Sequence, residues 1–188
     1  GMDVFSRQCT YGTLTSTCTV HYFSGTQDQI WVNLGDGTFK EMTNTTGIIT
    51  DFGRGLGLVA ADFDANGNLD LYIGNDGEAN LLFQNSTEAD ADRPAFSENG
   101  LLTGVALSRQ GSSQSSHGIA TGDVNSDGRL DVFMTNYYME SDTLLLQGED
   151  GTFTDATRVA GLELSGQEHV GFGVQFIDAD LDGHVTQR

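Results

Sequence analysis

Short runs of apolar and β-branched residues recur along the chain, separated by turns rich in Gly, Asn and Asp. Leu58-Val59-Ala60-Ala61, Leu71-Tyr72-Ile73, Leu81-Leu82-Phe83, Val132-Phe133-Met134 and Leu144-Leu145-Leu146 are examples. Runs this short, bounded by turn residues, predict β-strands. No stretch places apolar residues at i, i+3, i+4 and i+7 over the length of a helix. The Leu58–Ala61 run is apolar on both faces, as an innermost strand wedged between neighbouring sheets requires.

The runs fall into a repeat, and the repeat sets the architecture. Gly57 to Gly67, Gly118 to Gly128 and Gly173 to Gly183 align, each with a glycine five residues before an acidic position. Those positions, Asp62, Asp123 and Asp178, are 61 and 55 residues apart. A second register pairs Leu69–Asn75 with Leu130–Asn136, and Met2–Gln8 fits the same frame. A third pairs Ile30–Asn33 with Leu81–Asn85 and Leu144–Gln147. A fourth holds Gly35–Phe39, Ala95-Phe96 and Asp150–Phe153. Each unit is expected to close on Gly47-Ile48, Gly100-Leu101 or Gly161-Leu162. Four short strands per unit at this period predict an all-β fold of β-propeller blades, with about three blades present. The approximate units are 3–54, 55–115 and 116–170 within a single segment 1–188, and 171–188 starts a further unit. Ser108–Ser116 reads as a loop between units, and Ser86–Pro94 as an insertion between strands.

Composition narrows the function. The 188 residues carry 8 Lys plus Arg against 27 Asp plus Glu, a net charge of −19. That charge repels a phosphate backbone and offers no basic footprint for anionic lipid, so nucleic acid and membrane insertion are not expected. With 37% hydrophobic residues the chain can still build a core. No run approaches the roughly 18 apolar residues needed to span a bilayer, and no signal peptide is visible. Cys9 and Cys18, the two cysteines, either form a hairpin disulfide, which would point to an oxidising compartment, or remain free thiols.

The acidic positions carry the candidate chemistry. Asp62, Asp64, Asn66, Gly67 and Asp70 occupy positions 1, 3, 5, 6 and 9 of a loop. Asp123, Asn125, Asp127, Gly128 and Asp131 repeat the spacing. Asp178, Asp180, Asp182 and Gly183 repeat it too, with Thr186 at position 9. Position 7, held by Asn68, Arg129 and His184, offers its backbone carbonyl. An all-oxygen set without His or Cys side chains selects a hard cation, Ca²⁺, over zinc or copper. Three such loops in register argue against metal-free turns, because clustered carboxylates repel one another. An EF-hand requires a bidentate Glu at position 12, where Ile73 and Met134 stand, and the residues after position 9 are strand-like rather than helical.

These loops, with the Asn33–Phe39 and Asp150–Thr157 stretches, resemble the FG-GAP/VCBS repeats of integrin-α-like β-propellers, most closely those of the cartilage acidic protein type. The resemblance covers nearly all of the chain outside Cys9–Gln27. It implies a seven-bladed, calcium-binding, usually extracellular or periplasmic propeller that serves recognition or adhesion. Three units fall short of such a ring, and Thr186 leaves the third loop one carboxylate short.

No catalytic constellation emerges. His21, His117, His169 and His184 belong to no nucleophile or zinc motif; His117 is expected to be a rim or packing residue, and Trp31 either packs between blades or stands exposed as a ligand-stacking platform. The favoured expectation is a non-catalytic module that binds a protein or carbohydrate ligand. The alternative is a segment of a secreted carbohydrate-active enzyme of the polysaccharide-lyase kind, which would need a basic cluster that these eight cations do not form. Finally, Asp3 aligns with Asp131. Either a head-to-tail homo-oligomer brings Asp3 to the 178–182 loop of a second copy, or the chain is a piece of a longer propeller.

Overall fold

The computed structural model describes residues 8–19, 22–50, 53–183 and 185. Asp3, His21, His184 and Thr186 lie outside them, so the expectation that Asp3 completes a loop does too. The described chain is all-β apart from two single helical turns. A hairpin of β1 (Gln8–Tyr11) and β2 (Leu14–Thr17) comes first, closed by a Cys9–Cys18 disulfide. Closing so short a loop stabilises by roughly 2–3 kcal/mol in the chain-entropy view. A two-stranded sheet of β3 (Trp31–Asn33) and β4 (Phe39–Glu41) follows, then the turn α1 (Thr43–Thr46).

Two complete four-stranded antiparallel sheets come next. The first runs β5 (Gly55–Ala61), β6 (Asp70–Asn75), β7 (Leu81–Asn85), β8 (Phe96–Glu98), and then the turn α2 (Gly100–Thr103). The second runs β9 (Ser116–Gly122), β10 (Asp131–Asn136), β11 (Thr143–Gln147), β12 (Phe153–Asp155). Strand order follows chain order in both, as in propeller blades. The described residues thus hold two four-stranded sheets and, in the β3–β4 pair, one two-stranded sheet of the same repeat, and they form no closed ring. Residues 86–94 do form an insertion, between β7 and β8; Ser116 belongs to β9 rather than to the loop before it. Among the described residues no helix is long and apolar enough to cross a membrane.

The three units superpose through their backbone hydrogen bonds. Met42 N–H donates to the Ile30 carbonyl, Asn99 N–H to Leu82, and Ala156 N–H to Leu144. This register pairs Gly47 with Gly104 and Gly161, which corrects the closing position: Gly100 opens its helical turn and Gly104 ends it. Gly47 and Gly104 sit at φ 86° and 85°, the left-handed cap that a residue with a Cβ disfavours. A Cβ on Gly47 would stand 2.2 Å from the Phe96 carbonyl, and one on Gly104 2.9 Å from that of Phe153. Each turn therefore docks on the fourth strand of the following unit.

The apolar core lies in the seams between units. Ile48 from the first unit packs with Ile73 and Phe83 of the next, with Ile30 and Phe96 against them. Tyr72, Leu82 and Val105 pack with Val132, Met134, Leu145 and Phe153. Buried polar groups cross the same seam: the Asn80 amide donates to the Tyr72 and Ser116 hydroxyls, and Ser116 donates to Asn136 Oδ1. The inner strands meet backbone to backbone at Gly57, where a Cβ would lie 2.3 Å from the His117 carbonyl. Gly118 faces the extended segment 171–177 in the same way, with the Phe172 carbonyl carbon and oxygen both 3.2 Å from its Cβ position. His117 is buried there, stacked on Phe172 with ring centroids 4.7 Å apart. β9 is thus covered on both sides, whereas β5 exposes Leu56 and Leu58, because no inner strand of the first unit lies beside it among the described residues.

Gly57→Ala is expected to push the inner strands apart and to cost about 1–3 kcal/mol, the usual range for overpacking a tight site. Urea denaturation followed by fluorescence measures it; unchanged stability would contradict so close an approach.

Candidate metal centre

The first two acidic loops each leave an inner strand, β5 or β9, and return along the second, β6 or β10. Asp62 caps the turn from within: its Oδ1 accepts from Asn66 N–H at 3.0 Å and its Oδ2 from Gly67 N–H at 2.9 Å. Asp123 holds Asp127 N–H at 3.0 Å and Gly128 N–H at 2.8 Å. Asp178 does the same with Asp182 at 3.1 Å and Gly183 at 2.9 Å. The curl needs left-handed backbone at position 6, where Gly67, Gly128 and Gly183 have φ of 89°, 86° and 89°. Position 4 is left-handed as well, in Ala65, Ser126 and Leu181. Sequence reasoning missed this position because nothing in those residue types marks it.

Position 9 ties the loop to the sheet. Asp70 is fully buried; its Oδ2 accepts from Phe63 N–H at 2.9 Å and its Oδ1 from Asn85 N–H at 2.7 Å. Asp131 repeats this with Val124 and Gln147, both at 2.9 Å. One carboxylate thereby fixes the loop, the second strand and the end of the third.

Among the described residues, two carboxylate groups converge. Asp62, Asp64 and Asp70 form one, and Asp178, Asp180 and Asp182 the other; within each group the oxygens approach within 4.8 Å of one another. Two oxygens bound across one Ca²⁺ stand about 4.6–5.2 Å apart, so the spacing suits a single ion. The first loop also brings Asn66 in, with its amide on Asp64 Oδ2 at 3.1 Å and on the Asn85 carbonyl at 2.9 Å. The Asn68 amide meets the Asn85 and Thr87 carbonyls.

The second loop differs. Arg129 Nη2 lies 2.6 Å from Asp127 Oδ2, its Nε donates to the Gln147 carbonyl at 3.0 Å, and Asn125 also donates to Asp127. Asp123, Asp127 and Asp131 are not among the converging groups. The side chain at position 7, Arg129, thus engages a loop carboxylate.

Burial is the main influence on Asp70 and Asp131 and holds both carboxyls above their usual range, against the backbone donors that oppose it. The other carboxylates of each loop raise them further. A cation between them would remove this cost.

A family profile described as an FG-GAP-like repeat matches residues 18–73 and 123–185, more than half of the chain. Cartilage acidic protein 1 of Xenopus tropicalis is similar, 29% identical over 110 residues. The match covers 57% of this chain and 15% of that much longer protein.

In calcium-free buffer the raised carboxyls make a signed prediction. Above the unfolded value of about 3.9, folded Asp70 and Asp131 hold more proton than the unfolded chain, so they favour folding less as pH rises through their folded values. The melting temperature of the wild type should therefore fall with rising pH more steeply than that of Asp70→Asn. Parallel curves in EDTA would contradict the assignment.

Proposed function

We propose, on the premise that this chain belongs to the FG-GAP-like repeat family, that it is a calcium-binding segment of a β-propeller that works outside the cytoplasm as a non-catalytic recognition or adhesion module for a protein or carbohydrate ligand. The observation that carries the reading is the convergence of Asp62, Asp64 and Asp70 on one spot. Asp62, Asp64, Asn66 and Asp70 would hold the ion, with the Asn68 carbonyl at position 7. The ion would supply charge neutralisation, fastening a loop of like charges to the sheet rather than activating a substrate. Asp178, Asp180 and Asp182 offer a second such centre. The Cys9–Cys18 disulfide supports an oxidising compartment. Burial of His117 in a seam, stacked on Phe172, supports a structural rather than catalytic use of that ring.

Calcium binding to the native state alone raises stability by about 2.7 kcal/mol at a hundredfold excess over Kd, and extracellular modules bind at about 10⁻⁴–10⁻³ M. Millimolar calcium should therefore raise the melting temperature over that in EDTA, and Asp62→Ala should lose much of the increase. Equal melting temperatures in calcium and EDTA would refute the reading.

Arg129 gives a second test. Replacing it by the Asn found at the same position of the first loop frees Asp127. Arg129→Asn should tighten calcium binding to the second loop by about 1 kcal/mol, roughly fivefold in Kd. Titration calorimetry measures the change; weaker binding would show that Arg129 supports the loop instead of competing for it.

A further inference from the structure

Both seams bury polar side chains, and at the first of them acceptors face acceptors. At the second seam a hydrogen-bond chain crosses from sheet to sheet: the Asn80 amide donates to Ser116 Oγ at 3.1 Å, and Ser116 Oγ donates to Asn136 Oδ1 at 3.1 Å. The repeat register gives the counterparts at the first seam. Gly55 pairs with Asn75 as Ser116 pairs with Asn136. Asp28 stands two residues before Ile30 as Asn80 stands two before Leu82, and the Ile30 and Leu82 carbonyls accept from Met42 and Asn99 in the same way. At the first seam, therefore, a carboxylate replaces the amide and a hydrogen atom replaces the hydroxymethyl group.

Neither acceptor then has a donor. Asn75 is 1% exposed, and its Oδ1 and Asp28 Oδ2 are buried atoms that receive no hydrogen bond. Turning the Asn75 amide over does not help, because its nitrogen donates to the Ala79 carbonyl at 2.6 Å, as that of Asn136 donates to the Ser141 carbonyl at 2.7 Å. The two side chains converge beside Gly55: a Cβ there would lie 3.9 Å from Asn75 Oδ1 and 3.9 Å from Asp28 Oδ1. Arg54, next in the chain, is committed to Glu78 and to the Phe23 carbonyl. The third member of the series, Asp142, is again a carboxylate, but Ser165 Oγ donates to it at 2.7 Å. An ionised carboxylate only accepts, and buried acceptors without a donor, one of them charged, oppose folding.

From this contrast we infer that the first seam binds a hard cation, sodium or calcium, between the Asp28 carboxylate and Asn75 Oδ1, in the place that the Ser116 hydroxyl takes at the second seam. Oxygen ligands alone suit such an ion. A cavity of about 320 Å³, lined by Thr50, Gly53, Asn75 and Glu78 among others, reaches Asn75 and gives the ion and its remaining waters a path. The net charge of −19 concentrates cations around the chain. A water in the same place would donate to both acceptors but leave the Asp28 charge uncompensated. The site lies at the opposite end of β6 from Asp70, so it is separate from the acidic loops and does not depend on their binding calcium.

Thermal melts of the wild type, Gly55→Ser and Asp28→Asn test this, in choline chloride with EDTA, sodium chloride with EDTA, and calcium chloride, all at equal ionic strength. Gly55→Ser supplies the hydroxyl of Ser116 and Asp28→Asn the amide of Asn80, so neither variant needs the ion. Replacing choline by sodium or calcium should raise the melting temperature of the wild type by about 2–4 °C more than that of either variant, and the salt that does so identifies the ion. Calcium held by the acidic loops raises all three proteins alike and cancels in the comparison; its failure to bind there is read separately, from Asp62→Ala. If Ile73 Cγ2, 3.2 Å from the Gly55 Cβ position, crowds the new serine, Asp28→Asn decides alone, since it keeps the size of the side chain. Equal responses of the wild type and Asp28→Asn to both salts would overturn the inference, leaving the seam to water.

Discussion

Asp70 and Asp131 are carboxylates with no exposed surface, and a buried charge costs several kcal/mol unless donors or a counter-ion compensate it. Each has two backbone donors, one from the loop and one from the strand beyond. Much else depends on that placement. The loop is pinned at both ends, in the first loop Asp62 and Asp64 converge on the buried Asp70, and the inner and second strands are held in register at the point where the chain reverses. Negative charge then gathers where the sheet can least disperse it, and a cation is the natural complement.

The seams obey a different constraint. Each four-stranded sheet is small and carries apolar residues on both faces, so neither face is stable until another sheet covers it. Close backbone approach at Gly57 and Gly118, and the docking of Gly47 and Gly104 on a neighbouring carbonyl, set the spacing between sheets; the side chains of Phe83, Val105 and Leu145 fill what remains. Exposed Trp31, Phe39 and Leu56 are the same positions without a neighbour among the described residues. Their exposure is a property of the repeat and not a local irregularity.

Much of this was legible in the sequence. Alternating short runs and turn residues identified the strands, and the thrice-repeated acidic spacing identified the loops with their position-6 glycines. The closing register was misplaced in the second unit, because Gly100 and Gly104 both precede an apolar residue and only the hydrogen bonds of the helical turn separate them. The short turns α1 and α2 were missed, since four residues are too few to show helical periodicity. The left-handed backbone at Ala65, Ser126 and Leu181 leaves no mark in residue type. The engagement of Arg129 with Asp127 depends on a side-chain conformation that spacing does not specify, and it is what sets the second loop apart from the first.

The most direct measurement of the central claim is anomalous X-ray scattering from crystals grown in millimolar calcium. The account predicts an anomalous peak enclosed by the carboxylates of Asp62, Asp64 and Asp70, at about 2.3–2.6 Å from their oxygens. An absence of anomalous density there, with the three carboxylates hydrogen-bonded only to protein and water, would contradict it.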